Sequence, residues 1–275
     1  MQQISFSDSL KILILGLGWT GQFLQDLFVE QNIAYAATTR DGRNGTIPWS
    51  LTASPDVSPL PWANTVLITF PVLSADTMHQ LIEKYTAEKG PTNWIILSST
   101  RVYSADPSNR HTPLDPSKDN GRLPAEYEVI KNNGTVLHLS GLWGAQRQPK
   151  NWVGRFNKPE ALKGKILTRQ LHLVHGKDVA RAILAVHQNF KSGERWIITD
   201  RTAYDWLKLF LVWGSQEQLD IINELRKNDP ECGKAIGSHG TLKDIVEKGG
   251  VKPRLDSDEF WDTFGLEPKV FLDVV

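Results

Sequence analysis

Short apolar runs alternate with stretches of helical spacing through the first half of the chain. Residues 11–15, KILIL, are a run of strand length. GLGWTG follows, and QFLQDLFVEQ then sets Phe23, Leu24, Leu27 and Phe28 along one side of a helix. IAYAATTR (33–40) reads as a second strand. TVLITF (65–70) is a buried strand halted by Pro71, and SADTMHQLIEKYTAEKG (74–90) is an amphipathic helix closed by a glycine. WIILSST (94–100) is another buried strand. The stretch 41–64, rich in Gly, Pro, Asn and Ser, reads mostly as loop, with one short strand near Ile47–Trp49. Strands and helices in this alternation predict a parallel sheet covered on both faces.

The second half is less regular. Residues 104–124 hold four prolines and read as a surface loop. PAEYEVIKNN (124–133) is a short helix, with Pro124 suited to its first turn. TVLHLSGLWG (135–144) reads as one strand ending in a glycine-bearing turn. LHLVHGKDVARAILAVHQNF (171–190) is a strand followed by a helix, RWIITD (195–200) a late strand, and AYDWLKLFLVWG (203–214) a late helix. Residues 215–259 are charged and weakly periodic, which predicts surface helices and loops. The expected fold class is α/β: a doubly wound parallel sheet in residues 1–145 and a smaller C-terminal substrate lobe in 146–275, with segments near 171–200 returning to the sheet.

Gly16, Gly18 and Gly21 complete G-x-G-x-x-G between the first strand and the first helix. The first glycine allows the tight turn, the second lets backbone approach a pyrophosphate, and the third lets helix pack on sheet. The helix N-terminus then offers unpaired N–H groups to phosphate oxygens. This predicts a Rossmann-type dinucleotide site, with Gly16, Gly18, Trp19, Thr20 and Gly21 at the phosphates. An NAD site usually ends its second strand in an acid. Here Thr38, Thr39 and Arg40 stand there, and Asp41 comes one step later. A guanidinium and a threonine hydroxyl suit a 2′-phosphate, so Thr39 and Arg40 favour NADP over NAD. Phe70 and Pro71, after the next buried strand, are expected beside the ribose and nicotinamide, and Ser98 is a further cofactor contact.

Composition adds limits. Lys+Arg and Asp+Glu number 31 each among 275 residues, so no overall field draws in nucleic acid or an anionic membrane. Cys232 is the sole cysteine, which excludes an internal disulfide and multi-cysteine metal sites. No apolar run is long enough to span a bilayer, and MQQISFSDSLK lacks the pattern of a secretory signal. A cytoplasmic protein with a small-molecule substrate is expected, without nucleic-acid or membrane partners; the sequence assigns no oligomeric state. His172 and His175 have no acid or cysteine at ligand spacing, so no metal is expected and a packed, hydrogen-bonded His175 is the default.

Three further segments carry a family likeness. SSTRVY (98–103) resembles the serine-rich end of the fifth strand and the Val-Tyr-Gly turn of the extended or atypical short-chain dehydrogenase/reductases, the epimerase/dehydratase-like proteins. LHLSGLWG (137–144) resembles their Leu-Arg-x-x-x-x-Tyr-Gly segment, with His138 in the arginine slot and Trp143 in the tyrosine slot. LVHGKDVARAI (173–183) resembles their His-Val-x-Asp-Val-Ala segment. The resemblance implies an NADP-dependent oxidoreductase acting on a small carbonyl or alcohol. Ser99, or its neighbour Thr100, would hold the substrate oxygen, and Tyr103 or water would supply the proton. The family also uses a Tyr with a Lys four residues on. Counted back from Ala125-Glu126, those slots hold Lys118 and Arg122. Tyr127 and Lys131 have the spacing but stand too near the following strand. The missing pair keeps two rivals in view: a lyase, isomerase or cyclase without net hydride transfer, and a non-catalytic NADP-sensing protein. Asp178 would cap a helix or hold the substrate lobe, Trp143 and Trp152 would line a pocket or a core, and the basic residues Lys150 to Arg169 would form a solvated face or meet an anionic substrate.

Overall fold

The computed structural model describes residues 12–275; the N-terminal stretch read above for a secretory signal lies outside the described residues. β1 (Ile12–Leu15) passes through the glycine turn to α1 (Trp19–Glu30), β2 (Tyr35–Thr39), β3 (Ile47–Pro48) and β4 (Thr65–Ile68). Next come α2 (Ala75–Lys89), β5 (Asn93–Ser99), α3 (Leu123–Lys131), β6 (Thr135–Leu139) and β7 (Gly141–Trp143). The chain continues through α4 (Lys150–Val153), α5 (Pro159–Thr168), β8 (Gln170–His175), α6 (Gly176–Gln188), β9 (Arg195–Ile198) and β10 (Ala203–Asp205). It closes with α7 (Trp206–Trp213), α8 (Gln216–Asn228), α9 (Pro230–Ile236), α10 (Leu242–Glu247) and α11 (Asp258–Thr263).

Seven strands form a parallel sheet in the order β3-β2-β1-β4-β5-β6-β9. Successive side chains of a strand point to opposite faces. Ile12 and Ile14 therefore pack with Leu24 and Phe28 of α1 and with Val179 and Ile183 of α6. Leu13 and Leu15 pack on the other face with Met78 and Leu81 of α2 and Val129 of α3. Because both faces are covered, the interiors of β1 and β4 are apolar at successive positions, which is why they read as runs rather than alternations. α2 starts where the Ser74 hydroxyl accepts from the Thr77 N–H at 3.2 Å and ends against Gly90.

The run 135–144 is not one strand. It breaks at Ser140, whose N–H donates to the Ile198 carbonyl at 3.1 Å. β7 then leaves the main sheet to join a three-stranded sheet, β10-β8-β7. The backbones approach closely there. A Cβ on Gly141 would lie 2.7 Å from the Leu173 side chain and 3.0 Å from the His172 carbonyl. Likewise AYD opens the late helix as a strand, and the Asp205 carboxylate caps α7 by accepting from the Leu207 N–H at 2.9 Å.

The segment expected to be surface helices contributes a core of its own. Ile222, Cys232, Ile236 and Leu242 pack with Leu207, Phe210, Leu162 and Leu173 beneath the smaller sheet. Phe260 and Trp261 of α11 reach the core of the main sheet. Asp178 is buried and holds the chain's end: it accepts from the Lys269 and Val270 N–H groups at 3.0 and 2.9 Å and from Arg181 at 2.7 Å. The basic stretch is partly engaged. Lys163 pairs with Asp229 and Glu231, Arg169 with Asp205, and Lys165 stands over the rings of Phe156 and Trp206. Among the described residues no helix is long and apolar enough to cross a membrane.

Candidate functional site

After β1 the chain lays β2 and β3 to one side, then returns past β1 to start β4 on the other. The strand ends diverge at such a switch point, and a crevice opens outside their carboxyl ends. A cleft of about 1230 Å³ lies there, lined by the glycine turn, the ends of β2, β4, β5 and β6, the segment 49–53, and Arg122 and Arg147.

The glycine turn is held by the strand ends beside it. The Gly16 N–H donates to the Thr38 hydroxyl at 3.0 Å, and the Leu17 N–H to the Thr38 carbonyl at 2.7 Å. The Thr69 hydroxyl donates to the Gly16 carbonyl at 2.5 Å. Gly16 has φ +93°, and a Cβ on it would lie 2.7 Å from the Phe70 ring. At Gly18 a Cβ would meet nothing within 4 Å, so the space over the second glycine is open to a ligand. At Gly21 a Cβ would press on the Leu17 side chain at 2.9 Å, as helix-to-turn packing requires. Gly18 caps α1 without a side chain, and the first turn of α1 contains no acid. The positive end of this helix thus faces the cleft with no acid in its own first turn to compensate it. These features fit a dinucleotide pyrophosphate.

At the end of β2, Thr39 and Arg40 line the cleft. The Thr39 hydroxyl lies 2.6 Å from that of Thr46. Asp41 is engaged by Arg43, whose guanidinium donates to both carboxylate oxygens at 3.1 and 3.2 Å. Hydrogen bonding from Thr39, and then from Arg43, holds the Asp41 carboxyl below its ordinary value.

The inner end is different. Leu97 and Ser98 of β5, Leu139 of β6, Leu142 and Arg122 line it. The Ser98 hydroxyl donates to the buried Glu126 carboxylate of α3. The other carboxylate oxygen lies 2.8 Å from His138 Nε2, and His138 Nδ1 lies 3.3 Å from the Tyr103 hydroxyl. With Nε2 donating to Glu126, Nδ1 is left to accept from Tyr103. Burial pushes the Glu126 carboxyl up, but His138, Ser98 and Arg195 together outweigh it and hold it below the usual value. A chain of hydrogen bonds therefore runs from the cleft wall into the interior.

Of the residues expected at a cofactor, Gly16, Gly18, Trp19, Thr20, Thr39, Arg40, Phe70, Pro71 and Ser98 line this one cleft, and Gly21 packs behind it. The residues expected to be catalytic do not join them. Ser99 caps the short helical turn Thr100–Val102 by accepting from the Arg101 N–H at 3.3 Å, and neither Ser99 nor Thr100 is on the cleft wall. Tyr103 is 0% exposed, and burial pushes its phenol far up. Its hydroxyl reaches His138, and Tyr103 is not among the residues of the cleft wall. Tyr127 is 51% exposed on the outer face of α3 beneath the Arg195 guanidinium, and Lys131 pairs with Glu128 at 3.6 Å. Lys118 lies in a separate helical turn, Pro116–Lys118, capped by Asp115. Arg122, in the slot of the family lysine, does line the cleft, and its Nε has no hydrogen-bond partner.

Sequence reasoning missed Thr69, the wall formed by residues 49–53, and Arg147. A threonine directly after a buried strand was a usable signal for Thr69; Arg147 had none, because it arrives from the second sheet. His175 accepts from the Lys177 N–H at 3.1 Å to cap α6, and His172 accepts from the Arg254 N–H at 3.1 Å. Trp143 and Trp152 belong to the core of the smaller lobe.

No protein-family model matches the chain, and no curated protein matches it. Solved structures do. A functionally unknown conserved protein from Silicibacter pomeroyi superposes with a TM-score of 0.64 at 17% identity, covering 94% of each chain. UDP-N-acetylglucosamine 4-epimerase from Bacillus cereus gives 0.62 at 15% identity, over 95% of this chain and 94% of that one. A short-chain dehydrogenase/reductase superfamily protein from Agrobacterium tumefaciens with bound NAD gives 0.61 at 14% identity, over 95% and 93%. These identities speak for architecture, and the parallel sheet, the switch-point cleft and the glycine turn agree with it. In fold, the chain is similar to these epimerase/dehydratase-type and short-chain dehydrogenase/reductase structures, sharing their Rossmann-type parallel sheet.

Proposed function

We propose that the protein binds NADP(H) in the switch-point cleft and acts as an oxidoreductase on a small carbonyl or alcohol. The observation that carries the reading is the cleft itself: a glycine turn and an acid-free helix N-terminus at its centre, with Arg40 at the end of β2. The 2′-phosphate would meet Arg40 and Thr39. The neighbouring acid, Asp41, is already compensated by Arg43, which weakens it as a ribose acceptor and supports NADP over NAD. The Agrobacterium protein of the same fold binds NAD, which supports a nicotinamide dinucleotide here. When bound, that group would supply the hydride. The chain's own part at the inner end falls to Ser98. Ser98 is on the wall and its hydroxyl donates to the Glu126 carboxylate, so in the alcohol-oxidising direction a substrate hydroxyl proton taken up at Ser98 Oγ would be passed on to that carboxylate.

Calorimetry tests the cofactor reading. NADPH should bind more tightly than NADH, and Arg40→Ala should remove most of a difference of roughly 10- to 100-fold, the worth of hydrogen bonds to a charged group. Equal affinities in the native protein would sink the preference. Transfer of deuteride from labelled NADPH to a screened carbonyl tests the reaction.

A second reading has one observation in its favour. Among the described residues, no tyrosine, lysine or histidine lines the cleft. A protein that binds NADP(H) and reports its state to a partner needs none of them. Tight NADPH binding, with no deuteride transfer to any screened carbonyl, would favour this reading.

A further inference from the structure

Arg147 shares the cleft with the phosphate turn and, among the described residues, has no acid paired with it. It lines the cleft, and its guanidinium carbon sits 4.4 Å from the centre of the Trp19 ring, the first residue of α1. The backbone that presents it is closely fixed. The Gly144 N–H donates to the Arg147 carbonyl and the Arg147 N–H to the Gly144 carbonyl, both at 2.9 Å. Gly144 has φ +120°, and a Cβ there would lie 2.4 Å from His175 Nε2, so the turn is wedged on a histidine that itself caps α6. An aromatic chain closes the circuit: Trp143 to His175 at 4.7 Å, His175 to Phe23 at 5.5 Å, and Phe23 to Trp19 at 4.9 Å. The glycine turn and the Arg147 turn are therefore parts of one packed unit, although more than a hundred residues separate them.

The electrostatics of this unit are incomplete. The N-terminal end of α1 is a positive pole, and its first turn carries no acid. A guanidinium stacked on the side chain of the helix's first residue adds charge of the same sign nearby. An anion between the two would satisfy both. The flat, forked guanidinium matches phosphate oxygens in a paired geometry, and the indole face gives it a shelf.

We propose that Arg147 is a pyrophosphate ligand: shelved on Trp19, it holds the pyrophosphate bridge of the dinucleotide against the N-terminus of α1. The assignment rests on the dinucleotide reading above. It makes cofactor binding depend on chain that follows β7, outside the first glycine-bearing unit.

The test is calorimetry with two probes, NADPH and adenosine 2′-monophosphate, the second carrying the ribose phosphate but no pyrophosphate. Arg147→Gln should weaken NADPH by roughly 10- to 100-fold, the range for a charge-assisted hydrogen bond, and leave adenosine 2′-monophosphate within twofold. Arg147→Lys, which keeps a point charge but not the fork, should fall between Arg147→Gln and the native protein. Native-like NADPH affinity in Arg147→Gln overturns the proposal. So does equal weakening of both probes, which would mark a general disturbance of the cleft. Failure of the native protein to bind NADPH at all would instead overturn the dinucleotide reading, and the Arg147 role with it.

Discussion

The two ends of the cleft are built on different principles. The phosphate end is made of backbone: a turn with φ +93° at Gly16, open space above Gly18, and helix N–H groups, with arginines around them. Its neighbours Thr38 and Thr69 serve to hold that backbone still. The inner end is made of side chains from three separate elements, Ser98 of β5, Glu126 of α3 and His138 of β6, joined in a buried network. One end offers fixed positive potential to an anion. The other offers a hydroxyl whose proton is tied to a carboxylate. The two ends thus rest on independent sets of contacts, so that one can change while the other is kept.

That independence can be broken or sharpened by mutation. The largest effect is expected at the phosphate end. Gly18→Val should abolish NADPH binding while the circular dichroism spectrum and melting temperature stay near native, because the added carbon meets no protein atom and fills the ligand's space. Retained binding would mean that the turn is not the phosphate seat.

At the inner end the expected loss is in stability. Glu126→Ala leaves Ser98 and His138 buried without their shared partner and should cost about 1–3 kcal/mol for each orphaned group in chemical denaturation. The pH dependence has a definite sign. The Glu126 carboxyl is held below its ordinary value of 4.5 in the folded chain, so its contribution is fully present above that value and is lost as pH falls through the folded pKa. Melting temperatures measured downward from pH 6 should show this acid-side loss in the native protein and a shallower one in Glu126→Gln. Matching profiles would show that the network does not hold the ionised carboxylate.

The smallest effect is expected at Tyr127. Its phenol is on the outer face of α3, out of reach of the cleft, and a proton donor must come within about 2.6–3.2 Å of its acceptor or act through one water. Tyr127→Phe should leave NADPH affinity, and any turnover found by screening, within a few-fold of native. A collapse of either would place Tyr127 in the working site after all.

Much of this protein was decided locally. The apolar runs at 12–15, 65–68 and 93–99, the turn between Gly16 and Gly21, and the helix that follows are legible because strand burial, glycine conformation and helical spacing each leave a mark within a few residues. The candidate cofactor residues lie in those segments or at the ends of neighbouring strands, so they could be read together, and all but Gly21 line one cleft. What the tertiary structure alone decided involves contacts between distant segments. Nothing near Ser140 announces that the chain changes sheets there; the close approach of Gly141 to the His172 carbonyl requires it. Tyr103 has the sequence context of a pocket residue, yet its hydroxyl is turned inward because His138 and Glu126, from other elements, give it a buried partner. Arg147 follows β7 of the second sheet in sequence yet lines the cleft with the phosphate turn, since the aromatic packing of Trp143, His175, Phe23 and Trp19 brings the two together. Local pattern sets which residues form each element and which way it faces. Which side chains share a site depends on how separated elements pack, and that is a property of the assembled core.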